Sequence, residues 1–101
     1  MIKRYYDPIK GNYVEVLHLG QDNDKISAVS ISVYLSKTIK AKVTKTDEGF
    51  RVFAEDFLFN TQSFVFCKDD YVVFDKKKAT IKVIPAATDE LKTFMEEYLE
   101  V

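Results

Sequence analysis

In Thr88-Asp89-Glu90-Leu91-Lys92-Thr93-Phe94-Met95-Glu96-Glu97-Tyr98-Leu99, the residues Leu91, Phe94, Met95, Tyr98 and Leu99 fall at i, i+3, i+4, i+7 and i+8. That spacing lines them up as one apolar stripe of an α-helix. Thr88 reads as the N-cap. Asp89 and Glu90 follow in the first turn, where the helix dipole favours negative charge. A helix of about 12 residues is marginal alone in water, so its stripe has to dock on something. Upstream of Pro85 the chain reads as sheet.

Residues 79–84 and 71–74 pair as the last hairpin, around Asp75-Lys76-Lys77-Lys78. Further back, Phe57-Leu58-Phe59 and Phe64-Val65-Phe66 are apolar on both faces, with Asn60-Thr61-Gln62-Ser63 between them. Such strands lie inside a covered sheet or present a sticky face to a second copy or a partner. Phe50, Val52 and Ala54 share one face of the preceding strand, and Arg51 and Phe53 share the other. Asp47-Glu48-Gly49 is the hairpin turn leading into it, with Gly49 supplying a positive φ. Residues 38–44 put Ile39, Ala41 and Val43 inward and Lys40, Lys42 and Thr44 outward. In residues 26–35, Val29, Ile31, Val33 and Leu35 alternate with Ser30, Ser32 and Tyr34. Period-two alternation with β-branched residues predicts a half-buried strand. A polar loop, residues 20–24, precedes it. At the N-terminus, residues 2–6 and 13–19 form a hairpin punctuated by Pro8 and Gly11. The expected architecture is α+β: a mostly antiparallel sheet of about six to seven strands with one C-terminal amphipathic helix packed on it.

Composition bounds what this domain can do. With 101 residues, 47% of them hydrophobic, the chain suits one folded domain. No apolar run approaches the roughly 18 residues of a membrane span. No apolar segment backs the basic N-terminus as in a secretion signal. The formal charge is −1, without the basic excess of a dedicated duplex-DNA binder. Cys67 is the only cysteine, which excludes an internal disulfide and fits a reducing, cytoplasmic setting. The core must therefore come from packing, for which eight Phe and six Tyr supply the bulk.

Chemistry-bearing patterns are sparse. His18 is the only histidine. Nothing in the spacing joins it to Cys67, which closes an apolar run and reads as a small core residue. No Gly-x-Ser-x-Gly elbow or Walker loop is present. Asp22-Asn23-Asp24 begins like a calcium loop but has Ser27 and Val33 where that loop needs Gly and Glu. Catalytic residues, cofactors and metals are therefore not expected.

The strongest candidate is electrostatic. Lys37, Lys40, Lys42 and Lys45 cluster on or beside one strand, with Arg51 on its hairpin partner and Tyr34 and Phe53 on flanking strands. Lysines interleaved with rings are how single-stranded nucleic acid is often held. The plainer reading is a solvated face that resists edge-to-edge aggregation. Lys76-Lys77-Lys78 is a second basic group, in a turn. Glu96, Glu97 and Glu100 form an acidic counterpart on the helix.

These features predict a non-enzymatic binding module: a protein-interaction, inhibitor or accessory factor, monomeric or homodimeric. By analogy, short motif-free lysine-rich chains occur among phage and mobile-element proteins that block a host nuclease or defence system. The alternative is a single-strand nucleic-acid binder.

Overall fold

The computed structural model describes residues 2–20, 25–26, 28–62, 66–67 and 69–101. In chain order the elements are β1 (Ile2–Asp7), β2 (Asn12–His18), β3 (Lys25–Ile26), α1 (Ala28–Thr38), β4 (Ala41–Thr46), β5 (Gly49–Ala54), β6 (Phe57–Gln62), β7 (Phe66–Cys67), β8 (Tyr71–Asp75), β9 (Thr80–Ile84), α2 (Asp89–Glu97) and β10 (Leu99–Glu100). Eight strands form one sheet in the order β10-β1-β2-β8-β9-β6-β5-β4, and β3 pairs with β7 apart from it. Every pairing is antiparallel except β6 with β9, whose parallel register is Asn60 to Thr80. The α+β class and the antiparallel character are as expected, with more strands than the sequence suggested.

Local chemistry closes the turns. Asp7 Oδ1 accepts from the N–H groups of Ile9 and Lys10 at 3.0 and 3.1 Å, and Gly11 adopts φ +64°. An aspartate bonded to the backbone ahead of it, with glycine in the left-handed position, turns β1 into β2. Glu55 and Asp56 join β5 to β6 with φ of 49° and 69°, the double positive φ of a type I′ hairpin. Gly49, with φ 154°, opens β5 one residue beyond the Asp47-Glu48 turn. At α2, Thr88 Oγ1 accepts from the Leu91 N–H at 3.3 Å, which makes Thr88 the N-cap.

Two sequence expectations need correction. Residues 26–35 are not a strand, because Ala28–Thr38 is helix α1. A strand would set Val33 and Leu35 on one face. The helix instead buries Leu35 completely and leaves Val33 51% exposed. Leu35 and Ile39, four apart, drop together into the core, and that burial overrides the weak helix propensity of the β-branched residues. The C-terminal helix is also shorter than its stripe. Tyr98 is its extended C-cap, and Leu99 passes into β10, where it pairs with Tyr6 and stays exposed. The polar loop expected over residues 20–24 and the Phe64-Val65 pair lie largely outside the described residues.

The sheet buries both faces, unequally. On the first face, Leu17, Leu19, Val72 and Phe74 pack with Val52, Ala54, Phe59 and Ala41 under Leu35 and Ile39 of α1. That core spans the sheet. On the second face, Tyr5, Val14, Val16, Val73 and Ile84 pack under Phe94 of α2. This core draws only on β1, β2, β8 and β9. Among the described residues, the second face of β6, β5 and β4 carries no helix.

Candidate binding face

Strand register fixes what the uncovered face displays. Lys42 lies opposite Phe53, and Phe53 opposite Leu58. One register step of two along, Thr44 lies opposite Arg51, and Arg51 opposite Asn60. Directly opposed residues share a face. These six side chains therefore form two parallel rows across three strands. Phe53 and Leu58 are 47% and 45% exposed, and Lys42 and Arg51 are exposed too. No carboxylate belongs to either row. The arrangement is a small apolar platform flanked by two cations. It borders a shallow depression of about 730 Å³ at the β4–β5 tip, lined partly by Arg51, Asn60 and Phe50.

Of the sequence-predicted candidates, Lys42, Arg51 and Phe53 come together here. Lys45 points to the other face, opposite Phe50, whose own partner on β6 is Thr61. Tyr34 and Lys37 sit on α1, which covers the first face, so Tyr34 does not flank Lys42 as a neighbouring strand residue would. Lys40 is exposed in the α1–β4 connection, with φ 52°. Leu58, Asn60 and Thr44 were not singled out in the sequence. The alternation in Phe57-Leu58-Phe59 was the available signal, since it sets Leu58 opposite in sense to the buried Phe59.

Within the triple-lysine turn, Lys76 is the paired cation, while Lys77 and Lys78 are exposed. Lys76 Nζ lies 3.2 Å from Glu15 and 2.6 Å from Glu55, and 5.6 Å from the Phe57 ring centroid. Burial alone would lower the pKa of Lys76, but hydrogen bonds to Glu55 and Glu15, and their charges, hold it above its ordinary value. Arg4 adds a second cation 3.4 Å from Glu15 Oε1. This network ties the β8–β9 turn to β2 and to the β5–β6 turn. Lys77 Nζ donates to the Lys10 carbonyl at 3.4 Å, and the Lys78 N–H donates to Asp75 Oδ1 at 3.1 Å.

The reactive side chains stand elsewhere. The His18 ring stacks on Tyr71 with centroids 4.3 Å apart, and Nε2 lies 3.6 Å from Asp69. Cys67 is exposed, which corrects its reading as a core residue. Its N–H donates to Asp70 Oδ2 at 2.8 Å. Among the described residues no three His, Cys, Asp or Glu side chains are grouped to hold a metal ion. No helix among them is long and apolar enough to cross a membrane. The acidic patch expected on the helix is split, because Glu100 lies on β10 and pairs with Lys3 at 3.4 Å.

No family model, curated protein or solved structure matches this chain.

Proposed function

We propose that this chain is a non-enzymatic binding module, an inhibitor or accessory factor that engages a protein partner through the second face of β4, β5 and β6. One observation carries the reading. Phe53 and Leu58 are aligned, half-exposed and uncovered on a sheet whose other half closes the same face with a helix. Apolar side chains aligned on a regular surface, rimmed by charge and amide groups, have the make-up of an interface centre. The lone Cys67 suits a reducing compartment such as the cytoplasm.

The test compares wild type with Phe53→Asp and Leu58→Asp in affinity capture from the native host. Both variants should keep the wild-type circular dichroism spectrum and lose the captured partner. A partner retained by both variants would remove this face from the reading.

A second reading has its own observation: Lys42 and Arg51 beside the Phe53 ring offer a phosphate contact and a stacking surface. It requires single-stranded oligonucleotide binding that falls steeply with salt and disappears in Lys42→Glu. Binding that ignores salt, or none, eliminates it.

A further inference from the structure

We infer that the outer edge of β4 is a docking site for an extended acidic peptide segment, added to the sheet as a further strand. The inference deepens the binding reading by naming a partner chemistry, and it rests on the backbone edge of β4, sharing only Lys42 with the uncovered face.

The backbone geometry comes first. β4 ends the sheet, with β5 on one side and, among the described residues, no strand on the other. Asp47 and Glu48 connect the paired residues Thr46 and Gly49. A two-residue connection makes Thr46 and Gly49 the closing hydrogen-bonded pair, and antiparallel pairs alternate. Thr44 with Arg51 and Lys42 with Phe53 are then also hydrogen-bonded pairs. The N–H and C=O groups of Ala41, Val43 and Lys45 consequently face away from β5. An independent contact agrees: Ser36 Oγ donates to the Ala41 carbonyl at 2.6 Å, reaching it from α1. That bond closes the first outward carbonyl. Val43 and Lys45 keep an outward donor and acceptor each, which is the template an added strand needs.

Charge selects the strand. Lys40, Lys42 and Lys45 are exposed along this edge, with Lys37 beside them, and no carboxylate occurs between Lys37 and Asp47. A second copy would bring the same lysines to the same edge, so self-pairing is opposed. A segment carrying carboxylates is attracted. Laid antiparallel, it places residues opposite Lys45, Thr44, Val43 and Lys42 in that order. The complementary pattern is acidic, any, β-branched, acidic, with the β-branched residue against Val43.

The test uses the full chain and the end-capped peptide Ser-Glu-Thr-Val-Glu-Ser, at up to about millimolar concentration. Titration followed by amide NMR should shift Val43 and Lys45 most and slow their hydrogen exchange. N-methylation of the peptide valine removes one edge hydrogen bond without altering the protein, and should weaken binding about tenfold. Lys42→Glu/Lys45→Glu should abolish binding of this peptide and permit binding of its lysine-for-glutamate counterpart. Lys92→Glu, an equal charge reversal on exposed α2 in the other half of the sheet, should leave the peptide affinity unchanged.

Four results would overturn the inference: no binding at that concentration, shifts centred on Phe53 and Leu58, indifference to N-methylation, or a dimer that buries Val43 and Lys45. If the peptide fails while partner capture still depends on Phe53, the edge site falls and the binding face stands. If the peptide binds while capture ignores Phe53 and Leu58, the face falls and the edge stands.

Discussion

The two halves of the sheet meet at the β6–β9 parallel junction and treat the same face in opposite ways. Across β1, β2, β8 and β9, that face is shut by α2. Phe94 stacks on Tyr98 with centroids 4.5 Å apart and meets the Tyr5 ring edge-on at 5.5 Å. Across β6, β5 and β4, the face is open, and the aromatic at its centre is Phe53, nearly half exposed. Burial elsewhere does not explain the contrast, because the opposite face of both halves shares one core beneath α1. The closed half therefore has a second core, and the open half shows none among the described residues. A side chain on the open half is free to serve something other than folding.

The largest effect follows directly. Phe94→Ala removes a buried ring that holds α2 on the sheet, and should cost about 3 kcal/mol, as large-to-small core substitutions do. Phe53→Ala removes a half-exposed ring and should cost less than about 1 kcal/mol. Urea midpoints of the two variants measure the difference. Equal losses would mean that the open half is packed as tightly as the closed one, and the contrast would collapse.

A smaller, collective effect lies at alkaline pH and belongs mainly to the closed half. Burial raises the pKa of Tyr5, with the Glu100 charge adding to it. Burial also raises that of Tyr98, helped by Asp7 and Asp75. Lys76 is raised by its two glutamates against the opposing effect of burial. In the unfolded chain these groups titrate near 10 for tyrosine and about 10.4 for lysine. The folded state then holds its protons to higher pH than the unfolded state. Their stabilisation is complete below about pH 10 and is lost as pH rises through the folded values. Urea midpoints should fall above that pH, and Tyr98→Phe should flatten the fall. An unchanged slope in Tyr98→Phe would assign the loss to other groups.

The closed half was the more legible in the sequence. Its hairpins carry Pro8, Gly11 and the Asp75 turn as punctuation, and the stripe of α2 has an unambiguous period with Thr88 at its head. α1 was illegible for a physical reason. Val29, Ile31, Val33 and Leu35 alternate with Ser30, Ser32 and Tyr34, so the period-two pattern of a strand was satisfied by local chemistry. The competing signal was longer in range: Ile31, Leu35 and Ile39 recur every four residues, and the last two are buried together. Only the cost of leaving Leu35 and Ile39 in water decides between the patterns, and that cost depends on a core built by residues far away. The binding face was half legible for a related reason. Alternation placed Lys42, Arg51 and Phe53 outward, but Leu58 joins them only through the β5–β6 register. The charge on Lys76 looked free until folding brought Glu15 and Glu55 to it.

The smallest effect sharpens the contrast between the halves. Lys40 follows α1 in the left-handed region with φ 52°, and Ala79 ends the β8–β9 turn with φ 53°. Side chains at such positions cost on the order of 1 kcal/mol, and glycine removes the clash. Glycine also gives the unfolded chain more freedom, which returns part of the gain. Lys40→Gly and Ala79→Gly should each therefore stabilise by about 0.5 kcal/mol, seen as a rise in melting temperature of roughly 2–4 °C. In stability the two substitutions are twins. In binding they should differ, because Lys40 lies beside the open edge of β4 and Ala79 lies in the other half. Lys40→Gly should weaken an acidic strand at low salt, while Ala79→Gly should leave it alone. Matching losses of binding would show that the glycine backbone, rather than the missing lysine charge, causes the loss, and the open edge would have no special part in it.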